Sequence, residues 1–377
     1  MHLTDEYWMG LALELAKQGQ GFVEPNPMVG CVVVHENQLI ASGYHPRFGG
    51  PHAEVEALRN CDPSKLANAT VYVTLEPCSH FGKTPPCADL LIRNKPQRVV
   101  VAMQDPFPEV AGKGIAKLRE NQIQVDVGTL QHQAVTLNAP YLKRILTGIP
   151  WVVAKWAMTL DGAIATRDGD SKWISCEISR GIVHELRSRL DAILIGSGTA
   201  LADDPLLTTR LKASQAPKRV AARVVLDRQL RILTESQLVQ SSDQGTVIVA
   251  TSEGSDSTKI SKLIELGCEM ILIPQDQLGD SLRFVLGELG KRNMTNVLIE
   301  GGQTLLGSAF DEELVDEVHC FIAPKLVGGA KALRPLGGAG CAWMRQAQSI
   351  TDLIVRQSGC DIYLHGVLDG RIDTFRL

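Results

Sequence analysis

The sequence predicts an α/β protein built as two domains, and three observations lead there. Short runs of aliphatic and β-branched residues alternate with stretches of helical periodicity from end to end. Several runs in the second half, such as 192–196 (AILIG) and 296–302 (NVLIEGG), are almost wholly apolar, as strands buried on both faces are. The chain has 377 residues, more than one hydrophobic core ordinarily serves, and the alternation pauses at "TGIP", around Gly148. The domains are therefore placed at 1–147 and 148–377.

In the first domain, Trp8, Leu11, Ala12 and Leu15 share one face of a helix over 5–19, with Thr4 as its cap. Strand 29–34, helix 53–60 and strand 70–75 follow. Pro86 is placed to open a helix over 86–94. Strand 98–103, helix 112–121 and strand 123–128 come next, and a helix over 131–146 is closed by Gly148 and Pro150. The second domain starts with strand 151–158 and helix 179–190. Strands 192–196, 223–227, 246–251, 270–274 and 296–302 follow, with helices at 281–290 and 304–310. Two longer strands, 318–328 and 361–368, close the chain. Residues 211–220 and 252–260 read as exposed loops. There is no internal repeat.

Hydrophobic residues make up 44% and charged residues 21%, ordinary for a globular enzyme. The net charge of −4 and pI near 6.2 give no basic stripe, so no nucleic-acid partner is expected. A small phosphorylated substrate needs only a few local Arg or Lys residues. No run of about 18 apolar residues occurs, so no membrane partner is expected. The start, "MHLTDEYWMG", lacks the basic and apolar regions of a secretory signal. Nine cysteines, odd in number and scattered, make a poor disulfide framework. A reducing cytoplasm fits them.

The chemistry concentrates in "PHAEVEAL" and "EPCSHFGKTPPC". A hydrolytic zinc site needs three protein ligands and one open position. His52, Cys78 and Cys87 supply the three, and Glu54 can act as a base beside the metal. The pattern H-x-E…P-C-x-x-C marks zinc deaminases. Here eight residues separate Cys78 from Cys87 instead of two, so a loop replaces the single helical turn. That loop carries His80 and Lys83, both suited to a phosphorylated substrate. The plainer reading is chance: H-x-E is common, and a cysteine before a helix is often a small buried hydrophobe. A structural zinc would want a fourth ligand and would leave Glu54 unused.

The second half has no G-x-G-x-x-G after its first strand. It has Gly-rich turns leading into helices, "IGSGTALADDP" and "EGGQT", whose free N–H groups suit a phosphate. Each, taken alone, can equally be a plain chain reversal.

The segments "NPMVGCVVV", "HAEVEAL", "VTLEPCSHFGKTPPC" and "AMQDPFPEVAGKG" resemble the deaminase half of the bifunctional riboflavin-biosynthesis deaminase–reductases. "KWAMTLDGAIA", "LIGSGTALADDPLLTTR" and "VLIEGGQTLLGSAF" resemble the reductase half, so the likeness spans roughly the whole chain. The eight-residue spacing is that family's form of the motif. The resemblance implies a cytidine-deaminase-like α/β/α domain followed by a dihydrofolate-reductase-like α/β domain. It implies Zn2+ and NADPH as cofactors. The implied reactions are deamination of 2,5-diamino-6-ribosylamino-4(3H)-pyrimidinone 5′-phosphate, then reduction to 5-amino-6-(5-phospho-ribitylamino)uracil. It places substrate contacts on Asn26, His80, Lys83, Ser171, Arg187, Leu207, Arg210 and Glu300. Cofactor contacts fall on Ala157, Trp173, Thr199, Asp203, Gly302, Gln303, Thr304, Leu305, Leu306, Gly307 and Ser308. The family also implies a homo-oligomer, a dimer or tetramer. Two positions depart from it: Ala163 stands where Lys or Arg is usual, and Arg228 where a small polar residue is expected. The role of Lys155 stays open. The rival readings are a nucleoside or tRNA deaminase, a zinc-stabilised binding module, and a deaminase whose second domain only binds cofactor or regulates.

Overall fold

The computed structural model describes residues 3–59, 61–81, 85–211 and 218–375. The chain forms two compact units: the described residues of Met1–Thr147 with those of Ile372–Leu377, and Gly148–Arg371. The last few residues thus group with the first unit, not with the second where the sequence expectation put them.

Among its described residues the first unit is built on five strands: β1 (Gly30–His35), β2 (Gln38–Tyr44), β3 (Thr70–Val73), β4 (Arg98–Val101) and β5 (Gln124–Val127). Their order is β2-β1-β3-β4-β5, with β1 antiparallel to both neighbours and β3, β4 and β5 parallel. Side chains alternate across the sheet. Cys31, Val33, Val71, Val73, Val99 and Val101 face a core shared with the helices Ala53–Arg59, Cys87–Asn94 and Lys113–Glu120. The helix Asp5–Ala16 covers the opposite face, where Tyr72 Oη donates to Asp5 at 2.7 Å. Helices on both faces make an α/β/α sandwich. The approach over β1 is close: a Cβ at Gly30 would lie 1.9 Å from the Ala12 carbonyl oxygen, so only glycine fits there.

Two elements here differ from the sequence expectation. β2 was not anticipated. It is a half-exposed edge strand, and its signal is the two-residue turn before it, Glu36 and Asn37 at φ 50° and 58°, the left-handed pair of a tight hairpin. The helix expected over 131–146 is two helices, Gln131–Leu137 and Ala139–Thr147. Pro140 has no N–H to continue the first ladder. At the break, Asn138 accepts from Met28 N–H at 2.8 Å and donates to Met28 C=O at 3.0 Å.

Among its described residues the second unit carries nine strands: β6 (Trp151–Thr159), β7 (Ala192–Gly196), β8 (Ala222–Leu226), β9 (Val247–Ser252), β10 (Glu269–Ile273), β11 (Asn296–Glu300), β12 (Glu317–Ala323), β13 (Ile350–Ser358) and β14 (Asp361–Leu368). The order is β10-β9-β8-β7-β11-β6-β12-β14-β13, parallel from β10 to β12 and antiparallel beyond. From β7 the chain runs outward to β10, then returns to insert β11 between β7 and β6. That reversal opens a crevice at the carboxyl ends of the strands, the usual ligand position in such sheets. Val152, Leu194, Val224, Ile248, Val297 and Ile299 pack with Val285, Leu289 and Leu306 from the helices Ser281–Lys291 and Gln303–Asp311.

Three expectations change here. The stretch 252–260 is a loop only at first, because Asp256 caps a helix Ser257–Glu265 through the N–H groups of Thr258 and Lys259. The strand expected over 318–328 ends at Ala323, before Pro324. β13 was missed because all but its last residue are exposed, leaving no apolar alternation to read. Of 211–220, residues 212–217 lie outside the described residues, and the others carry no helix or strand.

Candidate active sites

In the first unit a cavity of about 310 Å3 is lined by Asn26, His45, His52, Glu54, Cys78, His80 and Asp105, among others. His52 immediately precedes the helix Ala53–Arg59, Cys78 lies in the loop beyond β3, and Cys87 opens the helix Cys87–Asn94 behind Pro86. His52 Nδ1 is 3.5 Å from Cys78 Sγ and 3.3 Å from Cys87 Sγ. All three ligand atoms lie within 4.8 Å of one another. Tetrahedral zinc with bonds of about 2.0–2.3 Å holds its ligand atoms about 3.5 Å apart, so the set fits the ion without rearrangement. Two thiols and an imidazole are also the donor chemistry zinc prefers. The Cys78 thiol is held well below its ordinary value by hydrogen bonding to Cys87 and His52, against the cost of its burial.

Glu54 lines the same cavity and is only 3% exposed. Burial first, and then the Cys78 thiolate, pushes its carboxyl up to about 7. A carboxyl near neutrality can both take and return a proton. His45 Nδ1 lies 2.8 Å from the Pro51 carbonyl, which can only accept, so Nδ1 carries the proton. Nε2 then accepts from Asn26 Nδ2 at 3.2 Å, which fixes the Asn26 amide at the cavity wall. Burial keeps His45 below its usual pKa, in keeping with this neutral form.

Behind the ligands, the buried Glu76 carboxylate accepts four backbone N–H groups: Asp105 at 3.2 Å, Gly112 at 2.9 Å, Gly114 at 2.9 Å and Ile115 at 3.2 Å. It lies two residues before Cys78 and ties the ligand loop to the start of the helix Lys113–Glu120. Asp105 accepts from Tyr141 Oη and Phe107 N–H, both at 2.9 Å, and burial lifts its carboxyl to about 6. His80 Nε2 stands 4.0 Å from the Glu109 carboxylate. Lys83 lies outside the described residues. His45, Glu76 and Asp105 were not singled out from the sequence. Asp105 sits within "AMQDPFPEV", whose Asp-Pro was the available signal, and Glu76 within "EPC".

The second unit holds a cavity of about 1150 Å3 at the carboxyl ends of β7, β8, β9 and β11. Thr199, Asp203, Gly302, Gln303, Thr304, Leu305, Ser308 and Ser171 line it. So do Arg228 and Arg231, which the chain holds through Leu278 C=O at 3.3 Å and Ser197 Oγ at 2.7 Å. A long groove with two guanidinium groups, entered by the N-terminus of the helix Gln303–Asp311, fits a phosphorylated dinucleotide. Two members of the expected run 302–308 turn away from it. Leu306 is fully buried in the core, and a Cβ at Gly307 would lie 2.4 Å from the Gly337 backbone. Helical periodicity is the reason, since a continuous run along a helix cannot present every residue to one side. Ala157 packs instead beside Phe321 and Tyr363. Trp173 is exposed, with the Arg180 guanidinium 4.6 Å from its ring centre. Ala163 is buried in the turn after β6, bonded through its backbone to Thr159, so its side chain is no polar contact.

Glu300 ends β11 opposite Lys155 of β6. Arg187 grips it with two bonds, 2.5 Å and 2.7 Å, and Lys155 Nζ stands 3.9 Å away. The Arg187 charge overcomes burial and holds the Glu300 carboxyl down to about 2. Burial pushes the Lys155 ammonium below its ordinary pKa, with Glu300 opposing. The Arg210 backbone N–H donates to His184 Nδ1 at 3.2 Å, and His184 is driven down to about 4 by burial and by Arg187. Leu207 is buried at φ 53°. His184 is a further residue the sequence reading did not find.

Comparison with known proteins follows the same division. Residues 3–103 match the cytidine and deoxycytidylate deaminase zinc-binding region, and residues 150–363 match the RibD C-terminal domain. The chain is 41% identical over 366 residues to riboflavin biosynthesis protein RibD of Actinobacillus pleuropneumoniae, covering 97% of this chain and 96% of that protein. Its structure matches Acinetobacter baumannii RibD with a TM-score of 0.85 and 38% identity, over 97% of this chain and 98% of that one. It matches a Thermotoga maritima protein described as a diaminohydroxyphosphoribosylaminopyrimidine deaminase/5-amino-6-(5-phosphoribosylamino)uracil reductase with a TM-score of 0.82 and 35% identity, over 96% and 98% of the two chains. With both halves matched in the same order over almost the whole length, the chain belongs to the RibD family of riboflavin biosynthesis proteins.

Proposed function

We propose that the chain is a bifunctional enzyme of riboflavin biosynthesis, with the deaminase in the unit of residues 1–147 and the reductase in the unit of residues 148–371. It deaminates 2,5-diamino-6-ribosylamino-4(3H)-pyrimidinone 5′-phosphate hydrolytically, then reduces the ribose to give 5-amino-6-(5-phospho-ribitylamino)uracil. The observation that carries this is the convergence of His52, Cys78 and Cys87 on one point, with Glu54 buried in the same cavity. When bound, zinc supplies the Lewis acidity that makes water a nucleophile at neutral pH, and NADPH supplies a hydride.

Glu54 takes the proton from the attacking water and delivers protons to the ring nitrogen and the departing ammonia. Asn26, its amide set by His45, orients the pyrimidine. His80, which lines the cavity, contacts the substrate, and the family resemblance assigns Lys83 the same role. In the second unit Gly302, Gln303, Thr304 and Ser308, which line the cavity with Thr199 and Asp203, would hold the cofactor. Arg187, Arg210 and Ser171 orient the phosphorylated sugar. Glu300 keeps Arg187 and Lys155 in place. Lys155, with its ammonium destabilised by burial, is a proton donor suited to the opening of the sugar ring.

The protein acts as a homo-oligomer, a dimer or tetramer. The edge strand β13 supports this, since it leaves Ile350, Leu353, Ile354 and Val355 exposed at the edge of the sheet. A cytoplasmic location belongs to the same reading, supported by nine unpaired thiols. No described helix is long and apolar enough to cross a membrane.

Glu54→Gln tests the assignment. In zinc-loaded protein it is expected to slow ammonia release by roughly 10²–10⁴-fold. Zinc content and NADPH oxidation on supplied deaminated intermediate should stay unchanged. Full ammonia release by the variant would refute the role of Glu54.

A further inference from the structure

Away from both cavities, two cysteines of the second unit face each other. Cys176 is the N-cap of the eleven-residue helix Glu177–Arg187. Cys360 sits at the tip of the hairpin that joins β13 to β14, beside Gly359 at φ 62°. Their sulfurs and an Asp361 oxygen lie within 4.8 Å of one another. The glycine makes the approach feasible, because a Cβ at position 359 would stand 2.8 Å from Cys176 Sγ.

The surroundings suit redox chemistry better than metal binding. Asp361 Oδ2 already accepts the Cys176 N–H at 2.8 Å and Ser179 Oγ at 2.6 Å, so that oxygen is committed. The remaining set offers two thiols and the other Asp361 oxygen, Oδ1, 3.6 Å from Cys360 Sγ, and no imidazole. Cys360 is exposed and Cys176 half-buried, so a small oxidant reaches both. Burial opposes ionisation of Cys176, but hydrogen bonding with Ser179, through its side chain and its backbone N–H, outweighs it and holds the thiol below its ordinary pKa. Thiolate character and access are what select a cysteine for oxidation.

We propose that Cys176 and Cys360 form a reversible dithiol–disulfide pair that hydrogen peroxide oxidises. The Cys176 thiolate attacks one peroxide oxygen, the O–O bond breaks, and hydroxide leaves to become water. The resulting sulfenic acid is attacked by the sulfur of the Cys360 thiol, whose proton leaves with the hydroxyl. The S–S bond forms, the S–O bond breaks, and a second water is released. Two sulfurs have together lost two electrons, and one peroxide has gained them. The bond ties the hairpin tip to the start of the helix that carries Arg187 at its far end.

The test uses the full, zinc-loaded chain treated with hydrogen peroxide and read by peptide mass, so it does not depend on the catalytic reading. The expected result is chains free of intermolecular cross-links with two fewer thiols, counted after denaturation, than the untreated nine, a linked peptide containing residues 176 and 360 lighter by two hydrogens, and full reversal by dithiothreitol. Cys360→Ser should lose the linked peptide and leave a sulfenic acid on Cys176 that dimedone traps. Oxidation of the exposed Cys341 with no 176–360 link would overturn the proposal. So would a second bound zinc per chain that disappears in Cys360→Ser, which would make the cluster a metal site.

Discussion

The two cavities are assembled in different ways. The proposed zinc ligands come from three short segments, each at the start of a helix or just past a strand, within about the length of one βα repeat. The second cavity draws on the ends of β7, β8, β9 and β11, separated by more than a hundred residues, and exists only because the chain doubles back to place β11 beside β7. A site held by local motifs is positioned by caps and loop hydrogen bonds. A site held by sheet order is positioned by the buried pairs that fix strand ends. Damage to one should leave the other largely working, and the predictions that follow probe that separation from the largest effect downward.

Arg187→Ala leaves the Glu300 carboxylate buried with Lys155 as its remaining charged partner. A destabilisation of about 3–5 kcal/mol is expected, read by urea unfolding of the second unit, with ammonia release from the first unit preserved until unfolding begins. The pair also fixes the acid response. Glu300 titrates near 2 when folded and near the ordinary 4.3 when unfolded, so its contribution is complete above that ordinary value. It is lost as pH falls toward about 2.

Glu76→Gln converts acceptor oxygens facing backbone N–H groups into a donor on one side. It should cost roughly 1–3 kcal/mol. Its signature should be faster loss of zinc to a chelator, with NADPH binding unchanged. Equal zinc retention in variant and parent would show that the Glu76 clasp does not position Cys78.

Gly302→Ala should cost about 1–2 kcal/mol because φ there is 82° and its Cβ would lie 2.9 Å from Thr199 Oγ1. The expected readout is a raised KM for NADPH with normal deamination. His184→Gln should give the smallest change. The folded His184 titrates near 4 against about 6.5 unfolded, so its neutral form is favoured on folding. Parent stability should therefore fall as pH drops from about 6.5 to about 4, and the variant should show a shallower slope across that window.

The same contrast decided what the sequence revealed. His52, Glu54, Cys78 and Cys87 were legible because chemistry, spacing and helix starts coincide within a few residues. The arrangement of β6, β7 and β11 was not, since strand neighbours are set by the crossovers between them and not by any one segment. Within the second site, a contiguous stretch was read as one surface although Leu306 and Gly307 turn inward with the helix. In the first unit, supporting groups such as His45 and Glu76 act on backbone atoms far away in sequence, and no spacing announces them. β13 escaped for a simpler reason, as an edge strand with almost no buried side chain has no alternation to show.

The grouping of the last residues with the first unit bears on biosynthesis. Unit two is encoded as an insertion, so residues 148–371 must be translated before residues 372–377 exist. At roughly 5–20 residues per second, that gap is on the order of 10–45 s. During this interval the ribosome carries a deaminase unit already able to assemble its ligand segments but still missing its final piece of chain. Early zinc capture by His52, Cys78 and Cys87 would then steady an unfinished unit while its partner is being made.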